Sequence, residues 1–224
     1  MNRKSRLPAL AAILGAIFLA STFALATSGK KASTSLGDRS LAFSGDPNKP
    51  RHHFRVKDVA DLTDKERETL YREIRDRLQA GYSVSGSKTA KGYQRWTRVN
   101  TAPYHSATHG RRFINNYINS VASPYLEHEK AGTLPIGAII AKDSFVVAKD
   151  GALTPGPLFV MEKMEKGFSY VSGDWRYSMV MPDGSFFGET NGENAERVEF
   201  CIGCHLAREK HDHLYFVPAK YRKR

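Results

Sequence analysis

Five residues near the C-terminus, Cys201-Ile202-Gly203-Cys204-His205, constrain this chain more than any other feature of its sequence. This Cys-x-x-Cys-His spacing is the attachment pattern of c-type haem. Each thiol can add to one vinyl group of the porphyrin, and the histidine that follows then lies under the iron and supplies a nitrogen ligand. We therefore predict one covalent haem c, held by Cys201 and Cys204, with His205 as the iron ligand.

Other chemistries use cysteine pairs, and these two are the only cysteines in the chain. An exported protein can join them in a disulfide, and a thioredoxin-like pair would begin a helix after a strand of a βαβ unit. A structural zinc site needs four ligands, which His211 and His213 would complete. The adjacent histidine and the position near the C-terminus favour haem over these alternatives.

The N-terminus has the pattern of an export signal. Three basic residues precede an uncharged apolar stretch from Leu7 to Ala26, which ends in small residues. We predict that residues 1–26 are a signal peptide and that the protein is periplasmic. An uncleaved membrane anchor is the alternative, because the stretch is about as long as a spanning helix. Cleavage would reduce the net charge from +11 to +8. The remaining positive charge favours acidic partners, and export argues against nucleic acid as a partner.

The rest of the chain divides by composition and periodicity. Residues 27–60 are polar and rich in Ser, Gly and Pro, which predicts a flexible leader. Residues 61–224 are predicted to form a single haem-binding domain. A Thr-x-x-Glu capping box at Thr63 begins a predicted helix that ends at Gly81. A second helix is predicted from about His109 to Ser123, because apolar residues recur there at intervals of four.

After Gly132 the pattern changes to short runs that are typical of strands. These runs cover 137–148, 157–164, 175–181 and 185–187. They are too close together for crossover helices, so the predicted sheet is antiparallel. The predicted fold class is α+β, with N-terminal helices followed by an antiparallel β-sheet that carries the C-terminal haem c motif.

The order of these features resembles the cytochrome P-460 family, which includes cytochrome c′-beta. The similarity extends over residues 93–218. The motifs that carry it are Tyr93-x-x-Trp96, Ala102-Pro103-Tyr104-His105, Tyr117-Ile118-Asn119, the run from Leu134 to Lys142, Met161-Glu162-Lys163, Gly173-Asp174-Trp175-Arg176-Tyr177, and Cys201 to His205 followed by Asp212-His213-Leu214-Tyr215-Phe216.

The resemblance implies a mainly antiparallel β fold, usually a homodimer, with His205 as the proximal ligand and an open iron site opposite it. In one branch a lysine of the sheet is bonded to a porphyrin meso carbon and a distal carboxylate transfers protons. For these roles we predict Lys142, with Lys163 as the second candidate lysine, and Glu162 as the acid. In the other branch the distal side is apolar and the role is gas binding.

Two further sets of residues are candidates for the haem environment. The basic side chains could pair with haem propionates or polarise a distal ligand; they are Arg111, Arg112 and Arg176. The upstream residues that could face the iron opposite His205 are Met161, Met164, Met179, Met181, His105 and His109. We expect the methionines to serve as core residues more often than as ligands, and neither histidine to bind the iron.

Three functions follow for an exported mono-haem c protein. The first is a haem c oxidoreductase with an open distal iron site, which oxidises or binds small nitrogen species such as hydroxylamine or nitric oxide and passes electrons to a soluble redox partner. In this reading Glu162 and Lys142 are the catalytic candidates. The second is a non-enzymatic gas-binding cytochrome of the c′-beta type. The third is a six-coordinate periplasmic electron carrier, which is disfavoured because no methionine follows His205.

Overall fold

The computed structural model of the chain describes residues 50–223. The predicted signal peptide and most of the predicted leader lie outside this range. Within it the chain is α+β, and its sheet is antiparallel as predicted. No helix between residues 50 and 223 is both long enough and apolar enough to cross a membrane.

Among the described residues, three α-helices flank the sheet: α1 (Asp64–Ser83), α2 (Lys88–Gly92) and α3 (Glu199–Leu206). The predicted capping box is present at the start of α1. The Thr63 hydroxyl accepts a hydrogen bond from the Glu66 backbone N–H at 3.3 Å, and the Glu66 carboxylate accepts one from the Thr63 N–H at 2.7 Å. The buried side of α1, which includes Ile74 and Leu78, then packs on the sheet.

Removing this cap should weaken the fold modestly. We expect Thr63→Ala to lower the free energy of unfolding by about 1 kcal/mol, because the first-turn N–H groups lose their acceptor. Urea denaturation followed by circular dichroism measures the change. Thr69→Ala is the matched control, since Thr69 is an exposed residue inside the same helix, where alanine is the better helix former. Equal losses in both variants would contradict the capping role.

In the part of the chain that the structure describes, eight strands form one sheet. Its main order is β1-β3-β4-β6-β7-β8, with β2 also paired to β3 and β5 to β4. All pairings are antiparallel, and each of the four strand-like runs in the sequence contributes a strand. The bounds are β1 (Thr97–Arg98), β2 (Tyr104–Ser106), β3 (Arg112–Ile118), β4 (Ile139–Val147), β5 (Leu153–Pro155), β6 (Leu158–Lys163), β7 (Trp175–Val180) and β8 (Phe186–Glu189).

The predicted helix from His109 to Ser123 is wrong, because this segment contains the central strand β3. Phe113 and Tyr117 are four residues apart, which is also two strand periods, so both lie on one face of the sheet. Ile114 and Ile118 lie on the other face. Every residue of β3 is buried, and a strand covered on both faces loses the alternation that would distinguish it from a helix.

Both faces of the sheet are covered. Helix α1 packs against one face, which we call the helix face. The C-terminal segment, with α3 and residues 214–217, packs against the other, which we call the motif face. Strand alternation therefore places Lys142 on the motif face and Asp143 on the helix face, where the Asp143 carboxylate accepts hydrogen bonds from Tyr71, Tyr93 and Asn115. Burial raises the pKa of Asp143.

The last part of the predicted leader, residues 50–60, lies against the sheet. Val56 N–H donates to the Gly110 carbonyl at 2.9 Å, and Val59 forms a β-bridge with Ala148. The side chain of Val56 is buried. This segment is therefore part of the folded domain.

Candidate functional site

A cavity on the motif face lies between the sheet and α3. The space between its lining atoms, part of which is open to solvent, is about 540 Å³. Two rows of directly paired residues form its floor: Lys142, Phe159 and Met179 in one, and Ile140, Met161 and Tyr177 in the other. The Cys-x-x-Cys-His motif and Tyr215 line it from the other side.

The motif forms the C-terminal part of α3, and His205 is its buried member at 6% exposure. The His205 Nδ1 lies 2.7 Å from the His213 carbonyl oxygen. A carbonyl can only accept, so Nδ1 carries the proton and donates it. Burial, together with the charge of Lys142, lowers the pKa of His205 to about 3. The ring is therefore neutral, and its Nε2 keeps the free lone pair that a metal ligand needs.

The loop after α3 is held so that it can orient His205. Asp212 and His213 both have positive φ (+53° and +61°), which makes a tight turn. The Asp212 carboxylate pairs with Lys163 at 2.5 Å and accepts from the Leu134 N–H at 2.9 Å. The Asp212 carbonyl accepts from the Trp175 indole at 2.8 Å. Lys163 thus serves as a structural anchor and does not line the cavity, so the structure does not support it as the second candidate for a porphyrin bond.

Both cysteines are free thiols that line the cavity, so the structure contains no disulfide between them. Burial raises the pKa of Cys201 to about 12, which means that this thiol is protonated near neutral pH. In the part of the chain that the structure describes, no three His, Cys, Asp or Glu side chains are grouped so that they could hold a metal ion. His211 does not line the cavity, so the arrangement gives no support to zinc.

Lys142 is a basic residue in the buried strand β4, and it was proposed from the sequence for a bond to the porphyrin. Its side chain is buried at 4% exposure on the β4 side of the cavity floor. Within residues 50–223 we find no hydrogen bond or ion pair to its ammonium group. Burial lowers the pKa of Lys142 to about 8, so a fraction of the amine is neutral and nucleophilic near neutral pH.

Glu162 and Arg176 were predicted near the haem, and the structure places both on the helix face instead. They are directly paired across β6 and β7 and form an ion pair with each other. Successive strand residues alternate between faces, so Glu162 points away from the cavity that its neighbour Met161 lines. Arg111 is exposed in a turn and also does not line the cavity. Arg112 is buried and donates to the Phe54 carbonyl at 2.8 Å.

Of the six upstream candidates, Met161, Met179 and His109 line the cavity, whereas Met164, Met181 and His105 do not. Tyr177 and His53 are among the lining residues that were not assigned a role from the sequence. The Tyr177 ring lies 5.0 Å from the His205 ring, and its buried hydroxyl has no partner among the described residues. His53 comes from the segment predicted to be a flexible leader, where the Arg-His-His-Phe-Arg cluster was the only indication of packing.

Comparison with known protein families agrees with this geometry. The family model of cytochrome P-460 matches residues 90–216, which is more than half of the chain. The chain belongs to the cytochrome P-460 family. Membership implies a haem cofactor, and the lining residues suit one chemically, because a neutral histidine, two free thiols and the side chains of Phe159, Met161 and Met179 meet at this cavity. No curated protein matches the chain.

The cytochrome P-460 match begins at residue 90 and so excludes α1 and the segment before it. It covers every strand of the sheet, α3 and the loop that holds His205. His53 therefore lies outside the matched residues, although it lines the same cavity as Cys201, Cys204 and His205.

Proposed function

We propose that this chain is an exported mono-haem c protein whose iron binds or oxidises small nitrogen molecules such as hydroxylamine or nitric oxide. The observation that carries the proposal is the state of His205. Its Nδ1 is tied to the His213 carbonyl, so Nε2 is left as the ligand atom beside a cavity that both cysteines line. Cys201 and Cys204 would hold the haem through thioether bonds.

The haem, when bound, supplies the iron at which a small molecule is held and electrons are exchanged. The chain supplies the surroundings. His205 orients one side of the site through its bond to the loop, and the apolar side chains of Phe159, Met161 and Met179 exclude water from the cavity. Electrons would leave to a soluble redox partner, and the net charge of +8 that remains after cleavage of residues 1–26 favours an acidic one.

Lys142 is our candidate for an additional covalent bond to the porphyrin. Its amine is buried beside the cysteine motif and has no competing partner among the described groups. Such a bond replaces one N–H and one meso C–H, so it is a two-electron oxidation that requires an external oxidant such as a peroxide. The lowered pKa of Lys142, about 8, favours the neutral amine that reacts.

A gas-binding role of the c′-beta type is the second candidate. It is favoured by the cavity lining, in which we find no carboxylate among the described residues. The ion pair of Glu162 with Arg176 on the helix face argues against Glu162 as the base in this cavity. Oxidation of a protonated nitrogen substrate would thus need another proton acceptor, whereas reversible binding of nitric oxide would need none.

Covalent attachment is tested by mass spectrometry of the denatured chain after expression with a c-type haem maturation system. We expect the N-terminus of the purified chain to lie at or near residue 27. Its mass should exceed the mass calculated for that polypeptide by one haem. Cys201→Ser/Cys204→Ser should lose the added mass because no thioether can form. His205→Ala should keep it but lose its native optical spectrum. An unmodified mass would contradict the proposal.

The absorption spectrum then separates the functions. A high-spin ferric spectrum that changes on addition of nitric oxide is expected for an open iron site. A low-spin six-coordinate spectrum would instead support an electron carrier, with Met161 or Met179 as the cavity residue to test first. Turnover of hydroxylamine with an artificial electron acceptor distinguishes the oxidase from the gas-binding protein.

A further inference from the structure

The segment Arg51–Val56, which precedes the family-matched region, closes one side of the cavity. Hydrogen bonds to the turn before β3 help to hold it: Arg112 donates to the Phe54 carbonyl at 2.8 Å, and Val56 N–H donates to the Gly110 carbonyl at 2.9 Å. Gly110 has φ +73°, and a Cβ at this position would lie 2.0 Å from the Phe54 carbonyl oxygen. The close approach of the segment therefore depends on the absence of a side chain at Gly110.

This segment brings His53 next to His109 inside the cavity. The two ring centroids are 5.0 Å apart. Both rings pack against Phe159 on the cavity floor, at 4.8 Å for His53 and 5.0 Å for His109. The His53 ring also contacts Phe200, the residue before the first motif cysteine, at 4.6 Å. The pair therefore lines the same cavity as His205.

The two histidines have hydrogen-bonding atoms left over. The Nδ1 of His109 is 3.0 Å from the Ser106 hydroxyl, which leaves its Nε2 without a partner in the described residues. The ring of His53 takes part in no hydrogen bond that we find within residues 50–223. Burial lowers the pKa of both rings, to about 3 for His53. Each ring is therefore neutral, and a neutral imidazole offers one donor and one acceptor.

We propose that His53 and His109 form the polar wall of the iron site and make hydrogen bonds to a small molecule held there. This inference rests on the proposed haem function. Because the pair offers both donors and acceptors, it favours a ligand that also has both, such as hydroxylamine, over one that only accepts. It also offers an acceptor for a hydrogen bond from the substrate, which no carboxylate among the described lining residues does.

The test uses the haem-loaded full chain and its ferrous carbon monoxide complex. Infrared spectroscopy of the bound C–O stretch reports a nearby donor without any turnover. We expect His53→Ala and His109→Ala each to raise the stretching frequency and to weaken azide binding to the ferric protein by about fivefold, as for the loss of one hydrogen bond. His53→Gln, which keeps a donor and an acceptor, should recover part of both changes.

His52→Ala is the matched control, because His52 is exposed in the same segment and does not line the cavity. It should leave the stretch and the azide affinity unchanged. Unchanged values in the His53 and His109 variants would overturn the inference while leaving the haem function intact. A resting spectrum that is low-spin and becomes high-spin in His53→Ala would also overturn it, since His53 would then bind iron directly. A protein without covalent haem or carbon monoxide binding would defeat both proposals.

Discussion

Asp212→Ala should lower the free energy of unfolding by about 3–5 kcal/mol, which is the usual cost of leaving one partner of a buried ion pair alone. Lys163 and Asp212 have side chains exposed by only 9% and 6%, so the remaining ammonium would be buried without a counter-charge. The Leu134 N–H would lose its acceptor as well. Thermal or urea unfolding of the haem-loaded protein measures the loss.

The same change should alter the haem, because Asp212 holds the turn whose carbonyl binds the His205 Nδ1–H. A weaker hydrogen bond makes the imidazole a poorer donor, so we expect the reduction potential to rise. Asp150→Ala is the control, since Asp150 is exposed in the β4–β5 turn. Asp212→Ala/Lys163→Met should regain much of the stability. A stable Asp212→Ala protein with an unchanged potential would show that the loop does not depend on this pair.

The second large effect is expected at Lys142. If the lysine bonds to the porphyrin, the protein should have a Soret band shifted to longer wavelength, and Lys142→Met should return the band to the position of an ordinary high-spin haem c. The expected cause is the loss of the lysine–porphyrin bond, while the two thioether bonds from Cys201 and Cys204 remain. Absorption spectroscopy before and after treatment with peroxide measures it.

Lys149→Met is the control, because Lys149 lies just beyond the end of β4 with its side chain 72% exposed. It should keep the spectrum of the unsubstituted protein. A spectrum that is the same with and without Lys142 would remove the cross-link from the proposal and would favour gas binding.

The sequence predicted the parts of the fold that depend on local signals. The capping box at Thr63 and the short β-rich runs after Gly132 each produce the element that their pattern indicates. The central strand β3 was misassigned because its environment is not local. Phe113 and Tyr117 are buried by α1, while Ile114 and Ile118 are buried by the C-terminal segment, and no periodicity shows that one stretch is covered from both sides.

The site divides in the same way. Spacing alone predicts Cys201, Cys204 and His205 as the haem-binding residues, and the structure places all three at one cavity. Strand alternation correctly placed Glu162 and Met161 on opposite faces of the sheet. It could not show which of these two faces α3 would cover, so it could not show which of the two residues would line the cavity. His53 was missed because its role depends on docking to the Gly110 turn, 57 residues along the chain from it.

Strand β4 carries an amine and a carboxylate on consecutive residues, each buried on its own side of the sheet. A strand has period two, so the insertion or deletion of one residue within β4 would exchange the faces of everything beyond it. Asp143 would then enter the haem cavity, and Lys142 would meet the hydroxyls of Tyr71 and Tyr93. Insertions and deletions should therefore be tolerated in the turn at residues 149–151 but should not be tolerated inside β4. Homologues and engineered variants should differ within β4 by substitution only.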